Sequence, residues 1–150
     1  MNTAISIKKD IKILLDSMGF IFLNDPEVRE EDGRFFIDIF VDEPRRLIGE
    51  RGATLQALQH VIRLLAANRY DQDIKLDIDI NGYKQKRAEL LRDMAHRARR
   101  EASTGSGVVE LEPMSAFDRR IIHTTLDAYN NIKTESTGEG RDRRVIIKRV

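Results

Sequence analysis

Leu47-Ile48-Gly49-Glu50-Arg51-Gly52 opens the stretch that decides the fold. Its two glycines stand at the entrance to a helix whose apolar positions Leu55, Leu58, Ile62 and Leu65 share one face. Residues 74–80 then alternate strictly: Ile74, Leu76, Ile78 and Ile80 are apolar, and Lys75, Asp77 and Asp79 are charged. A period of two predicts a strand with one face on a core and the other in water. Asn81-Gly82 punctuates the chain after it and marks the expected domain junction.

Toward the N-terminus, Phe35 to Val41 is rich in aromatic and β-branched residues and reads as a strand, opened by Gly33 and ended by Pro44. The short apolar run Phe20 to Leu23 is the expected pairing partner, with a long polar loop over Asp25 to Asp32 between the two. Ile7, Ile11, Leu14, Leu15 and Met18 fall on one helical face, and Gly19 is placed to end that helix. Toward the C-terminus, Tyr83 to Ala102 predicts a long helix with Leu90, Leu91, Met94, Ala95 and Ala98 as its apolar stripe. Gly105-Ser106-Gly107 breaks it, and Val108 to Leu111 is a short strand stopped by Pro113. Ser115 and Asp118 approximate a capping box, so a helix is expected from Ala116, burying Phe117, Ile121, Ile122 and Tyr129. Strands near Ile132 to Ser136 and Arg144 to Val150 flank a glycine-rich, arginine-rich loop.

Composition narrows the function classes. The 150 residues are 41% hydrophobic and 34% charged, enough for a core under a heavily ionised surface. The absence of cysteine excludes disulfides, thiolate zinc sites and cysteine nucleophiles, and three scattered histidines point to no metal and no cofactor. No apolar run approaches the roughly 18 residues of a spanning helix. The first residues lack the pattern of a secretory signal, so a soluble, cytoplasmic protein without membrane insertion is expected. The net charge of +1 conceals an asymmetry. Residues 1–80 carry 11 Lys and Arg against 15 Asp and Glu, and residues 81–150 carry 15 against 10. A basic half beside an acidic one points to a polyanion, though a merely solvated surface explains the charge equally well.

Two constellations carry chemistry. Gly49-Glu50-Arg51-Gly52 allows a tight loop whose backbone N–H groups, with the positive end of the next helix, can approach a phosphate. Taken alone, an ordinary turn before a helix is the better reading, since nine glycines make such pairs common. In Arg119-Arg120-Ile121-Ile122-His123, Arg119 and His123 lie one turn apart on the same flank. Arg offers a fixed fork of donors and His a ring nitrogen, but an exposed helical pair would look the same. Arg141, Arg143 and Arg144 stand in the nearby glycine-flanked loop and can gather around a phosphate with them. Lys84, Arg87, Arg97, Arg99 and Arg100 read as a solvated helix face, and His60 and His96 as surface polar residues.

Context resolves both. Ile48-Gly49-x-x-Gly52, an amphipathic helix and an alternating strand resemble a KH domain in its bacterial, type II arrangement, in which this loop clamps the backbone of unpaired nucleotides. Glu50 departs from relatives, which often place a basic residue there; its carboxylate would repel phosphate and leaves Arg51 as the cation of the loop. Glu112-Pro113-Met114-Ser115, Arg119-x-x-x-His123, Thr134-Glu135-Ser136-Thr137-Gly138-Glu139-Gly140 and Arg143-Arg144-Val145 resemble an R-3-H domain, named for its Arg-x-x-x-His spacing. That order of domains resembles the Jag (SpoIIIJ-associated) family of bacterial RNA-binding proteins, from about Phe35 to the end. Relatives often carry a further N-terminal domain that is not found in these residues.

The resemblance implies an α+β chain of two small domains, a type II-like KH domain over residues 1–82 and an R-3-H domain, a small sheet packed with helices, over residues 83–150. It implies binding of single-stranded RNA, with single-stranded DNA as a related ligand, through Gly49, Glu50, Arg51, Gly52, Arg119, His123, Arg141, Arg143 and Arg144. No catalysis is expected. Pairing His123 with Asp118 or Glu135 lacks a nucleophile, Ser115 reads as a cap, and Asp77 with Asp79 reads as the wet face of a strand. The alternative is a protein-interaction module, in which the first half docks a protein partner or a second copy and only the C-terminal half binds RNA.

Overall fold

The computed structural model describes residues 3–70 and 73–150. It divides into two units, the first ending at Lys84 and the second running from Gln85 to Val150. Tyr83 packs against the first core, and Lys84 pairs with Asp77 and Gln59, which keeps both with the first unit.

In the first unit, helix α1 (Thr3–Ser17) precedes the hairpin of β1 (Glu27–Glu31) and β2 (Arg34–Ile39). Two helices follow, α2 (Pro44–Ile48) and α3 (Ala53–Arg69), and then β3 (Lys75–Ile80). The sheet order is β1-β2-β3, with β1 antiparallel and β3 parallel to β2. Phe35, Ile37 and Ile39 stand beside Leu76, Ile78 and Ile80 in register, so both strands turn the same alternating set to one face. Against that face lie Ile7, Ile11 and Leu15 of α1 and Leu55, Leu58, Ile62 and Ala66 of α3.

The expected partner of β2 needs correction. Phe20 to Leu23 makes only a bridge between Phe22 and Val41. The true hairpin strand is the charged segment Glu27–Glu31, placed in a loop by its lack of apolar alternation. Asp32 and Gly33 link it to β2 with φ of 49° and 72°, the positive pair that a two-residue hairpin turn requires. Met18 and Leu65 are solvent-exposed, and Ala66 replaces Leu65 on the buried face.

Side chains secure the outer edge of β3 and its C-terminal end. Its open edge is capped from α3: Arg63 donates through Nε and Nη2 to the Leu76 carbonyl at 3.1 and 2.9 Å, and Gln59 Oε1 accepts from Ile78 N at 3.1 Å. At its C-terminal end the Asn81 amide pairs with both backbone groups of Val41, each at 3.0 Å, imitating one more strand residue. Asp79 Oδ1 accepts from Ile80 N and Lys84 N, tying the turn to the start of the next helix.

That helix, α4 (Tyr83–Thr104), is followed in the second unit by β4 (Val108–Glu110), α5 (Ala116–Leu126), β5 (Ile132–Thr137) and β6 (Arg144–Arg149). The sheet order is β4-β6-β5, antiparallel throughout. The buried stripe of α4 is Ala88, Leu91, Ala95, Ala98 and Ala102, with steps of three and four. Leu90 lies one position off that stripe and is 60% exposed. On α5 the buried apolar residues are Ile122 and Leu126, while Phe117 is 41% exposed. Ser115 caps the helix by accepting from Asp118 N at 3.2 Å. The Asp118 carboxylate does not complete a capping box; its Oδ2 accepts from Arg87 Nε and Nη2 at 3.2 and 2.6 Å, with the aspartate side chain 2% exposed.

This ion pair joins α4 to α5 inside the second unit. Asp118→Ala should cost about 3 kcal/mol of its stability, because it removes the buried partner of the half-buried Arg87 guanidinium. Replacing Arg87 by Met and Asp118 by Leu together should cost much less. Urea unfolding of the single and double variants checks both expectations.

Candidate nucleic-acid interface

Gly49 and Gly52 do different things in the loop between α2 and α3. Gly49 has φ 71° and ψ −174°, a region open in practice to glycine alone. A Cβ there would collide with the Thr54 side chain and lie 2.9 Å from Thr54 N. The loop therefore doubles back tightly onto the first turn of α3. Gly52 is left-handed, with φ 82° and ψ 12°, and a Cβ on it would meet the Tyr83 ring at 3.0 Å. Gly52 is the N-cap of α3 and supplies no side-chain acceptor, and the first turn contains no acid. The leading amides of a 17-residue helix thus stand without a capping side chain, where an anion is favoured.

Between the glycines, Glu50 and Arg51 are both exposed, and Arg51 adopts φ 51°. The local charge is balanced, so a phosphate here would rely on backbone amides and the helix end. Arg45 adds a cation that sequence reasoning passed over: its carbonyl accepts from Gly49 N at 2.9 Å, which puts it one turn before the loop, and its side chain is exposed. Arg46 is occupied by Glu43 and by the Phe20 ring.

In the second unit, α5 sets Arg119 one turn before His123, as its spacing requires. The imidazole is not free. Its Nδ1 lies 2.7 Å from Thr134 Oγ1 and its Nε2 2.8 Å from Ser136 Oγ. These hydroxyls alternate on β5 and turn to the same side. Burial holds the ring below the usual histidine range and the Arg119 charge acts the same way, with Asp127 opposing them. Arg119 is half-buried, and its Nε is out of solvent without a partner.

The loop from β5 to β6 folds back at Gly138, where a Cβ would sit 2.9 Å from the Asp142 carbonyl. Arg141 lies in the turn Gly140–Asp142, and Arg143 follows it; both are exposed. The Arg143 carbonyl accepts from Met114 N at 3.0 Å, which docks this loop beside the residues leading into α5. Arg143 is thereby joined to the segment that leads into the helix carrying Arg119, and among the described residues none of Arg119, Arg141 and Arg143 has a carboxylate partner. Arg144 differs. It precedes the buried Val145 on β6, faces the other side of the sheet, and pairs with Glu110 at 3.1 Å. Thr134 and Ser136 are the residues that sequence reasoning missed. Their signal was two hydroxyls at strand spacing beside a helix carrying Arg-x-x-x-His.

Arg87, Arg99 and Lys84, read as a solvated face, have internal partners: Arg87 holds Asp118, Lys84 holds Asp77, and Arg99 lies 4.2 Å over the Tyr129 ring. Arg97 and Arg100 remain exposed. No group of three or more His, Asp or Glu among the described residues is arranged to hold a metal ion.

Comparison with known proteins agrees with the second unit's architecture. The R-3-H domain model matches residues 89–149. The chain is 37% identical over 127 residues to the RNA-binding protein KhpB of Bacillus subtilis, covering 83% of this chain and 61% of that one. It is 31% identical over 134 residues to the protein of the same name from Clostridium symbiosum, covering 89% and 60%. The Streptococcus pneumoniae protein is 30% identical over 111 residues, 74% of this chain and 34% of its own length. The chain is thus similar to the Jag family over most of its own length. It spans about three fifths of the first two of these relatives. Its R-3-H domain holds Arg119, His123, Arg141, Arg143 and Arg144. No helix among the described residues is long and apolar enough to cross a membrane.

Two outcomes follow from these geometries. Gly49→Ala should cost about 1–3 kcal/mol in denaturant unfolding, through its forbidden backbone and the Thr54 collision. Because folding favours neutral His123, its contribution to stability is present above the ordinary histidine pKa of about 6.5 and is lost as pH falls through its lower folded value. Thermal melts from pH 7 to pH 5 should therefore fall more steeply for the unmodified protein than for His123→Gln.

Proposed function

We propose that this protein is a cytoplasmic regulator that binds single-stranded RNA and performs no catalysis. The observation that supports the reading is in the R-3-H domain, where Arg119, Arg141 and Arg143 have no carboxylate partners among the described residues, together with the similarity to proteins named RNA-binding proteins. Unpaired guanidinium groups near the surface are suited to phosphate, which they can engage through two parallel hydrogen bonds.

The first unit is read as a type II KH domain. Its helix–strand–strand–helix–helix–strand order supports this, as do the parallel β2–β3 pair and the glycine loop between α2 and α3. In this reading Gly49 and Gly52 bring backbone amides to a phosphate, Arg51 supplies charge, and Glu50 moderates affinity. In the second unit Arg119, Arg141 and Arg143 take phosphates, and Arg144 contributes only if it leaves Glu110. Binding is dominated by the backbone of the strand, with modest preference among bases. The His123 environment favours binding over catalysis. Its partners are hydroxyls, and a threonine in place of a carboxylate cannot stabilise an imidazolium as a triad aspartate does.

Fluorescence anisotropy with a short unstructured RNA, its DNA counterpart and a duplex, across a salt series, tests the reading. Single strands should bind at micromolar or better affinity, RNA before DNA and duplex weakest, with affinity falling as salt rises. Arg119→Ala should weaken every RNA alike and reduce the salt slope by about one. No binding at low salt would sink the proposal. Full affinity in Gly49→Asp would assign binding to the R-3-H domain alone and give the first unit to a protein partner or a second copy.

A further inference from the structure

Resting on the RNA-binding reading, we propose that His123 is a positioning residue and not a phosphate ligand: with Thr134 and Ser136 it locks α5 onto β5 so that Arg119 is held ready for phosphate.

Both ring nitrogens are engaged, at 2.7 Å by Thr134 and 2.8 Å by Ser136. A neutral imidazole has one N–H and one lone pair, and a hydroxyl can meet either, so the two hydroxyls satisfy whichever tautomer is present. A ring so held has no N–H left for a phosphate oxygen. To contact RNA it would have to release one hydroxyl and leave that group to find another partner in a half-buried setting. The surroundings also disfavour the cationic form, which is the form that would attract a phosphate.

What the clamp does is geometric. Thr134 and Ser136 are successive residues on the side of β5 that faces α5, and together they grip the ring at two points. Two grips fix both the height and the rotation of α5 against the strand. Arg119 rides on the preceding turn of that helix, with its Nε already out of solvent. A guanidinium whose stem is packed loses less freedom on binding than one on a mobile side chain. The hydroxyl pair thus acts on RNA through Arg119.

The test uses the full chain. Side-chain nitrogen NMR follows the titration of His123 alone and with a short single-stranded RNA. The ring is expected to stay neutral at pH 7 in both states, with its tautomer and nitrogen shifts unchanged by RNA because both nitrogens keep their hydroxyl partners. A ring protonated at pH 7 in the complex, or nitrogen shifts showing that either hydroxyl bond has been exchanged for phosphate, would overturn the proposal. The second measurement is a double-mutant cycle read by anisotropy. Thr134→Val with Ser136→Ala should weaken RNA binding about tenfold in the unmodified background, and hardly at all when Arg119→Ala is present. Equal losses in the two backgrounds, or no loss in either, would refute it. If that variant does not fold, the NMR titration still decides. Absence of RNA binding overturns both readings, whereas binding with a protonated His123 overturns this one alone.

Discussion

The parallel pairing of β2 with β3 is the constraint on which the first unit depends. Parallel neighbours cannot be joined by a tight turn, because the chain must travel back to the end from which it started. Here that return is made by α2, the glycine loop and α3, so the loop lies in the middle of an obligatory crossover. Its location is fixed by strands it does not belong to. The apolar register from Phe35 beside Leu76 to Ile39 beside Ile80 anchors both ends of the crossover. Any slip by one residue would turn those side chains to the solvent face and move α3 with them.

The two surfaces proposed to meet phosphate rest on different physics. The loop of the first unit offers backbone amides and a helix end beside a glutamate and an arginine that offset one another. The R-3-H domain offers guanidinium groups on a helix held by the Arg87–Asp118 ion pair and by the hydroxyls bonded to His123. Amide donors are oriented by the fold and change little with salt, whereas arginine contacts release counterions and weaken as salt rises. The division of the chain into an acidic and a basic half follows the same line.

Much of this was legible in the sequence. The alternation from Ile74 to Ile80 marks β3, and the face through Leu55, Leu58 and Ile62 marks α3, because burial on one side leaves a periodic trace. The motif of the R-3-H domain was legible for another reason: its Arg-x-x-x-His spacing and the Ser115 cap are local features that need no tertiary contact to be read. The elements that were misread bury little. Strand β1 is charged at every position but Val28, which alone packs against the core, so hydrophobic periodicity has too little to show there; the Asp32-Gly33 turn was its clearest local signal. On α4 the core side is built from alanines, which carry less weight than Leu90 in a hydrophobic reading although Leu90 faces water. At the site, spacing placed Arg119 beside His123. It could not show that both ring nitrogens were occupied, since Thr134 and Ser136 come from a strand that only the folded chain brings near.

The side chains along β3 have a consequence for self-association. A sheet edge with open amides and carbonyls is a template on which another chain can add a strand. Arg63 and Gln59 occupy that template on the β3 side, which leaves β1 as the open edge of the first sheet. There the rim is written in Glu27, Arg29, Glu30 and Glu31, and an identical copy in antiparallel register would bring several of these carboxylates together. The first unit can therefore leave sheet and helix surfaces open to solvent while discouraging its own strands from zipping into aggregates.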